Sequence, residues 1–374
     1  MLVAEYIMFS IIVVYSITII SFTVGWLKLK TFKYLDSKID LSVSIVIAFR
    51  NEEENITDLL NSLLNQTYPE DKFEIILVDD HSIDNTSLVI KDFIKNNSNI
   101  KLFSLPGNAA GKKNAVEFGI KNSTSNLLIT TDADCIMNKN WLISLIHYYS
   151  QFKPKLLVGP VAITSTVGVF EKFQALEFLS LVGSGAGVIG INHAIMCNGA
   201  NLLFEKSLFL ESNQNKKYAS GDDVFLMIHS KRNFKNSIHF IKSADAVVYT
   251  SAEESLKNFI NQRIRWTSKS KACRDFDIVF TALLVTFTNL IIVLGLIYTV
   301  WDFTFLNLYL TFFVIKFVID LTILIPITRF FKKQRLLWYF LPLQIIYPFY
   351  ITFTAIFGLI GNFRWKDRNF KEKR

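Results

Sequence analysis

Two aspartates that follow an apolar run are the first residues of this sequence whose types and spacing fit a chemical role. Leu127–Thr131 is rich in strand-forming residues and is followed by Asp132 and, after one intervening residue, by Asp134. In an extended segment, side chains two apart point to the same face, so both carboxylates can converge on one point. Such a pair suits Mg²⁺ or Mn²⁺ with its other ligands from water and a substrate diphosphate. The alternative is a polar turn that closes a strand.

Charged residues also follow the two apolar segments that precede this one. Leu41–Phe49 is dense in β-branched residues and Phe73–Val78 is a second apolar run, so both segments predict buried strands. The residues that follow them are Arg50, Glu52, Asp79 and Asp80. Turn capping explains each of these residues singly, but it explains poorly why every acidic cluster falls on the same edge of the predicted sheet.

Helical segments separate these strands and predict an α/β fold. Asn55–Gln66 repeats leucine and isoleucine with helical spacing, and Gly111 and Lys112 lead into a helix that ends near Lys121. Such alternation is typical of a parallel sheet with right-handed crossovers. Ligands of such sheets bind beyond the carboxyl ends of the strands, which is where the charged clusters fall. Leu156–Ile163 is predicted to be one further strand.

Two later segments carry further candidate residues. Asp222 and Asp223 precede the predicted helix Val224–Lys231, where helix capping is the alternative role for both carboxylates. The predicted helix Ser255–Lys271 holds an arginine that can bind phosphate and a tryptophan that can stack on a sugar. An amphipathic helix on the membrane surface would contain the same residue types. The candidates on this helix are Gln262, Arg265 and Trp266.

The apolar excess lies at the two ends of the chain. Val3–Trp26 is long enough to cross a bilayer core of roughly 30 Å. Three later segments are similar, namely Ile278–Trp301, Phe303–Ile327 and Trp338–Ile360. Lysines follow the first segment, so the positive-inside rule predicts that the next domain is cytoplasmic. The expected organisation is a transmembrane helix at 1–27, a catalytic domain at 28–275, membrane helices at 276–361 and a basic tail at 362–374.

Three features of these apolar segments lead to separate expectations. Lys316 and Asp320 lie four apart, so they should face each other or a partner helix. Trp338–Ile360 contains two prolines and has basic flanks on both sides, so it either spans the membrane or re-enters as a proline-kinked hairpin. Phe170–Gly190 is apolar but broken by glycines, and we expect it to pack at the membrane surface or along an acceptor groove.

Composition narrows the class of protein further. The 374 residues carry a formal net charge of +8, with lysines beside the apolar segments. That distribution fits contact with anionic membrane lipids better than nucleic-acid binding, and no nucleic-acid-binding signature is present. The 3 cysteines are far apart and odd in number, which predicts neither a disulfide framework nor a zinc site.

The candidate motifs, taken in chain order, resemble membrane-bound family 2 inverting glycosyltransferases. The last motif has the Q-x-x-R-W form of cellulose, chitin and hyaluronan synthase-like members, and the D-x-D pair matches as well. The matching segments are Ala48–Glu52, Val78–Ser82, Asp132–Asp134, Gly221–Asp223 and Gln262–Trp266. The resemblance implies a GT-A type nucleotide-sugar-binding domain with a mostly parallel sheet, flanked by transmembrane helices.

The resemblance also implies roles for individual residues. Asp132 and Asp134 would hold Mg²⁺ or Mn²⁺, and Asp223 would be the catalytic base with Asp222 in support. This chain has Gly-Asp-Asp where many synthases have Thr-Glu-Asp, which leaves open which carboxylate acts. Gly111 and Lys112 resemble a loop near the donor, and an ordinary turn with a solvated lysine is the alternative. Donor binding would also involve Ala48, Arg50, Glu52, Asp79, Asp80, Asp132, Gln262, Arg265 and Trp266.

The function expected from this resemblance is a metal-dependent hexosyl or N-acetylhexosaminyl transfer. The donor would be a nucleoside-diphosphate sugar and the acceptor a lipid or glycan, for envelope glycan or polysaccharide synthesis. The protein is expected to be a multi-pass protein of the cell inner membrane. Two alternatives are a processive polysaccharide synthase and a membrane protein that binds a nucleotide sugar without turnover.

Overall fold

The structure is a computed structural model of the chain. It describes residues 2–34, 39–107, 109–164, 166–212, 221–268, 273–360, 363–365 and 368–370. The strands are β1 (Val43–Phe49), β2 (Phe73–Asp79), β3 (Ile100–Ser104), β4 (Leu127–Asp132), β5 (Cys135–Met137), β6 (Leu156–Val158), β7 (Val161–Ile163), β8 (Leu202–Glu205), β9 (Ile238–Phe240), β10 (Val248–Thr250), β11 (Phe363–Trp365) and β12 (Arg368–Phe370). The helices are α1 (Leu2–Lys28), α2 (Ile56–Leu64), α3 (Thr86–Ile94), α4 (Lys112–Lys121), α5 (Trp141–Phe152), α6 (Val169–Ile189), α7 (Lys206–Glu211), α8 (Asp222–Asn233), α9 (Leu256–Ser268), α10 (Phe276–Trp301), α11 (Leu306–Phe330) and α12 (Phe340–Ile360).

The chain divides into two compact units. We call residues 30–164, 196–251 and 365–374 the α/β unit, and residues 1–29, 165–195 and 252–364 the helical unit. In this grouping α6 and α9 cluster with the apolar helices. The domain boundaries expected from the sequence stay a prediction.

The α/β unit contains a seven-stranded sheet in the order β3-β2-β1-β4-β8-β6-β9. Strands β1 to β4 are parallel, and β8 is antiparallel to both of its neighbours. The central strands are buried over most of their length, as their β-branched residues predict. The predicted α/β fold with a mostly parallel sheet is therefore confirmed.

The predicted strand Leu156–Ile163 is wrong as a single strand. β6 belongs to the large sheet, whereas β7 belongs to a three-stranded sheet with the order β5-β10-β7. Gly159 and Pro160 separate the two strands, and proline cannot donate to a ladder. Asn201, which is fully buried, stabilises the bend because its side-chain amide donates to the carbonyls of Pro160 and Ala246 at 2.9 Å.

A buried carboxylate connects four segments at the amino edge of the sheet. Glu74 accepts hydrogen bonds from Ser44 Oγ at 2.5 Å and from the backbone N–H and hydroxyl of Thr124, both at 2.7 Å. Lys101 Nζ lies 2.6 Å from its other oxygen. Burial disfavours ionisation, but these hydrogen bonds outweigh it and lower the pKa of Glu74 to about 2.

The helical unit contains four helical segments long and apolar enough to cross a membrane. They span residues 5–28, 276–301, 303–330 and 334–358, in agreement with the four apolar segments predicted. α12 is one continuous helix through Pro348, so the proline-kinked hairpin is wrong. Proline inside a helix removes one backbone hydrogen bond without reversing the chain.

Glycines allow α1 and α6 to pack closely. α6 is one uninterrupted helix in spite of its glycines. A Cβ added to Gly25 would lie 1.9 Å from the carbonyl oxygen of Gly187, and one added to Gly187 would lie 2.2 Å from that of Phe22. Gly187, one of the glycines that made this segment look broken in the sequence, is therefore a contact point between α6 and α1.

The predicted pairing of Lys316 with Asp320 is confirmed. Lys316 Nζ lies 2.7 Å from Asp320 Oδ2 and donates to Gln344 Oε1 at 2.9 Å. Gln344 Nε2 donates to the same Asp320 oxygen at 2.7 Å, and the Tyr15 hydroxyl donates to the other at 2.6 Å. The cluster joins α1, α11 and α12, and each of its charges has an opposite charge or a polar partner.

Candidate functional site

The register of the parallel strands brings three candidate residues to one edge of the α/β unit. β1 lies between β2 and β4, with Ala48 opposite Asp132 and Phe49 opposite Asp79. Since the chain leaves each strand at the same level, the loops after β1, β2 and β4 begin side by side. The sequence could predict this convergence because parallel strands have their carboxyl ends at one edge.

Arg50 and Asp79 organise the loops at this edge. Arg50 Nη1 donates to the carbonyls of Asp80 and His81 at 2.7 and 2.5 Å. One oxygen of Asp79 accepts from the backbone N–H of Ser82 at 2.8 Å, and the other accepts from the Ser87 hydroxyl at 3.0 Å. These contacts shape the loop after β2, and a direct role of either side chain in donor binding stays a prediction.

Asp80 connects the loop after β2 to the start of α4. It is fully buried, and its Oδ2 accepts from the backbone N–H of Gly111 at 3.0 Å. Gly111 has a φ of 99°, which favours glycine over other residues. The next residue, Lys112, begins α4, and its ammonium group pairs with Asp132 Oδ1. The structure therefore brings Asp80, Gly111, Lys112 and Asp132 together.

The second aspartate of the D-x-D pair is more enclosed. Thr250 Oγ1 of β10 donates to Asp134 Oδ2 at 2.9 Å. Burial and then the charges of Asp132 and Glu52 raise the pKa of Asp134 above its ordinary value. Glu52 is itself fixed in its loop, because its N–H donates to Thr86 Oγ1 and its carboxylate accepts from Asn55.

The donor set fits a divalent cation that is shared with a substrate. Asp132 and Asp134 offer carboxylate oxygens, which are the ligands that Mg²⁺ or Mn²⁺ prefers. Within the described ranges, no group of three or more His, Cys, Asp or Glu side chains is placed to hold a metal ion. The cation would therefore use water and diphosphate oxygens as its further ligands.

The second acidic pair lies at the N-terminus of α8, within the same α/β unit. Gly221, with a φ of 101°, precedes Asp222 and Asp223, which form the first turn of the helix. The Asp223 side chain lies close to Gly199. A Cβ added to Gly199 would lie 3.6 Å from Asp223 Oδ2. Thr130 of β4 donates to the Gly199 carbonyl at 2.9 Å. Gly199 thus connects Asp223 to the strand that ends in the D-x-D pair.

The Q-x-x-R-W residues lie on α9 in the helical unit. Gln262 Nε2 donates to Glu253 Oε1 at 2.5 Å, and the Trp266 ring packs against Phe178 with centroids 6.1 Å apart. Arg265 is half-buried on the same helix. Functions for Gln262, Arg265 and Trp266 stay predictions.

The sequence motifs missed a buried ion pair beside Trp266. Arg263 donates to both carboxylate oxygens of Glu177 on α6, at 3.1 and 2.5 Å, and both side chains are about 5% exposed or less. Its guanidinium lies between the rings of Phe259 and Trp266, 4.4 and 4.2 Å from their centroids. The signal available in the sequence was Glu177, a carboxylate inside an apolar helix that needs a buried partner.

The fold is GT-A-like, and the candidate carboxylates lie at the carboxyl edge of its mostly parallel sheet. Residues 44–209 match the family described as "Glycosyl transferase family 2". The chain is 34% identical over 173 residues to poly-beta-1,6-N-acetyl-D-glucosamine synthase of Staphylococcus epidermidis, which covers 44% of this chain and 40% of that protein. It is 34% identical over 122 residues to glycosyltransferase AglE of Haloferax volcanii, which covers 33% of this chain and 40% of that protein. The matches therefore span two fifths of the length of both relatives.

A solved structure agrees with the fold over nearly the whole chain. The mannosyltransferase PcManGT from Pyrobaculum calidifontis, described in complex with GDP-Man and Mn²⁺, has a TM-score of 0.60. The alignment covers 96% of this chain and 97% of that chain, with 15% sequence identity. At this identity the similarity supports the fold, and it confirms the GT-A-like architecture.

Proposed function

We propose that this protein is an inverting glycosyltransferase that moves a sugar from a nucleoside-diphosphate donor to a lipid-linked or glycan acceptor at a membrane. The observation that carries the proposal is that Asp79, Asp80, Lys112, Asp132 and Asp223 lie within one α/β unit. Residues 44–209 also match the glycosyl transferase family 2 model. The four apolar helical segments support a location in the membrane.

The proposed reaction needs a base on the acceptor side. The acceptor hydroxyl attacks the anomeric carbon from the face opposite the diphosphate, and the bond between the sugar and the diphosphate breaks. Asp223 takes the hydroxyl proton. Its Oδ1 accepts a hydrogen bond from the backbone N–H of Val224 at 2.9 Å, which holds the carboxylate in place. Asp132 and Asp134 would hold Mg²⁺ or Mn²⁺, which when bound stabilises the charge of the leaving nucleoside diphosphate.

Substitution of the acidic pair tests the role of the base. Asp223→Asn should lower turnover about 10²–10⁴-fold, the usual contribution of a general base, and leave nucleotide affinity unchanged. Asp222→Asn is the matched control, because it removes the neighbouring carboxylate of the same helical turn. A folded Asp223→Asn protein that no longer binds nucleotide would refute this assignment. Loss of turnover in Asp222→Asn alone would exchange the two roles.

A donor screen tests the reaction class. The purified protein in detergent is incubated with a panel of nucleotide sugars and Mn²⁺ or Mg²⁺, and release of the nucleoside diphosphate is measured. UDP-N-acetylglucosamine and GDP-mannose come first, because the similar proteins named above include an N-acetylglucosamine polymer synthase and a mannosyltransferase. EDTA should abolish release reversibly, and full activity in EDTA would remove the metal from the proposal.

The similarity to a polymer synthase makes processive synthesis the second candidate function. Among the residues that the structure describes, four helical segments are long and apolar enough to cross a membrane, and this number favours transfer of a single sugar over extrusion of a polymer. Product length decides between them: a single added sugar supports the first candidate, and a ladder of long products supports the second. A protein that binds nucleotide sugars but never releases diphosphate would exclude both.

We further propose that the α/β unit is cytoplasmic. The lysines that follow α1 and the basic residues 329–335 support this orientation by the positive-inside rule. Single cysteines at Asp302 and Lys332 are labelled with an impermeant reagent on intact cells. The cysteine at Asp302 should react and the one at Lys332 should be protected until the cells are opened. The reverse pattern would invert the proposed topology, and a probe at Lys373 reports the side of the tail.

A further inference from the structure

One carboxylate of the proposed metal site is already paired with a cation that belongs to the protein. The Lys112 ammonium contacts Asp132 Oδ1, and the two side chains are 32% and 31% exposed. This pair is therefore open to solvent and able to exchange partners. Lys112 is also the first residue of α4, directly after the loop that Asp80 holds through the backbone of Gly111.

We propose that Lys112 occupies the place of the divalent cation at Asp132 and so delays metal binding until a nucleoside diphosphate arrives. The inference rests on the proposed function and extends it to the order of binding. In the free protein, Lys112 neutralises Asp132. When the diphosphate enters, the ammonium exchanges the Asp132 carboxylate for phosphate oxygens, and Asp132 would then be available to hold the cation.

The small number of protein ligands supports this order. Asp132 and Asp134 are two carboxylates, and no cluster of three metal-binding side chains exists among the residues that the structure describes. A cation with six ligands would then depend on water and diphosphate for the rest. A bare ion must displace the Lys112 ammonium from Asp132, which reduces its net free energy of binding. An ion that arrives with a diphosphate provides Lys112 with a new anionic partner.

The charge balance at the edge of the sheet supports the same order. The D-x-D pair places the carboxylates of Asp132 and Asp134 two residues apart in the chain, and Lys112 pairs with Asp132. Removal of the lysine would leave this pair of carboxylates more negative and thus more attractive to a bare divalent cation. The diphosphate would lose a binding partner at the same time. The substitution should therefore change the two affinities in opposite directions.

The experiment measures Mn²⁺ binding directly, from the electron paramagnetic resonance signal of the free ion, with no donor sugar present. Lys112→Met should bind Mn²⁺ alone about fivefold more tightly than the natural protein, since an exposed ion pair contributes up to about that factor. In the presence of UDP or GDP, Lys112→Met should bind the nucleotide more weakly. Lys112→Gln gives the same comparison with a polar side chain if the first variant does not fold.

Lys155→Met is the matched control. Lys155 pairs with Glu205 at 2.9 Å, and their side chains are 36% and 28% exposed, close to the values for Lys112 and Asp132. Glu205 lies opposite Leu127, at the other end of β4 and about 16 Å along the strand from Asp132. The control removes one positive charge without touching the proposed site, so its Mn²⁺ affinity should not change.

The possible results separate this inference from the proposed function. Unchanged or weaker binding of Mn²⁺ alone in both Lys112 variants overturns the inference, whether or not their affinity for UDP or GDP changes. Equal tightening in Lys155→Met overturns it too, because net charge would then be the cause. If the natural protein binds neither UDP nor GDP in the presence of Mn²⁺, the proposed function fails, while the comparison without nucleotide still decides whether Lys112 excludes the metal.

Discussion

Glu74 provides the most quantitative prediction for the α/β unit. It is 8% exposed, and Ser44, Lys101 and Thr124 all donate to its carboxylate. The difference between a pKa of about 2 in the fold and 4.5 for the unperturbed carboxyl corresponds to about 3 kcal/mol of stability at neutral pH. Glu74→Gln keeps the shape but removes the charge, so we expect a loss of about 2–3 kcal/mol.

The assay is thermal unfolding of the detergent-solubilised protein. For a unit of this size, about 1 kcal/mol shifts the melting temperature by about 2–4 °C, so Glu74→Gln should lower it by about 4–12 °C at pH 7.5. Glu54→Gln, at an exposed position of the same unit, is the control and should shift it by less than about 2 °C.

The pH dependence gives an independent test of the cause. Because the folded pKa of Glu74 is depressed, its contribution is complete above the unfolded pKa of 4.5 and is lost as the pH falls toward 2. The difference between the natural protein and Glu74→Gln should therefore shrink to about half by pH 3. A difference of constant size from pH 7.5 to pH 3 would refute the electrostatic reasoning and point to packing instead.

The helical unit supports two further predictions, both measured as melting temperatures in detergent. Gly187→Ala should destabilise the unit, because the new Cβ would lie 2.2 Å from a backbone oxygen of Phe22, whereas Gly295→Ala meets only a side chain at 3.2 Å and should cost much less. Lys316→Met should cost about 3–5 kcal/mol by leaving Asp320 buried without its cation, and the double substitution Lys316→Met/Asp320→Leu should recover most of that loss. Equal stability of the single and double variants would show that an unpaired Asp320 is not the cause of the loss of stability of the helical unit.

The parallel part of the fold follows from local sequence signals. β1, β2 and β4 are short apolar runs, each followed by charged residues, with amphipathic helices between β1, β2 and the later strands. Parallel strands have their carboxyl ends at one edge, so Asp79, Asp132 and their neighbours had to converge there. The apolar lengths of the four membrane-crossing segments were equally visible, because span length depends on composition alone.

Contacts between segments distant in the sequence could not be predicted in this way. The approach of Asp223 to Gly199, the donation by Thr250 to Asp134 and the buried pair of Arg263 with Glu177 join residues separated by 24, 116 and 86 positions. No local pattern encodes which partner a buried polar group will find, since many carboxylates and amides are available and packing selects among them.

The sequence by itself determined the class of fold, the edge of the sheet where chemistry is possible and the apolar segments of the helical unit. Hydrophobic periodicity and turn chemistry act within a few residues, so these features are readable from the chain in order. Only the tertiary structure decided that the glycines of α6 mark a close crossing with α1 and that Lys112 pairs with Asp132. Both contacts depend on which surfaces meet after folding. The packing of the whole unit, and not any local segment, determines the free energy of that arrangement.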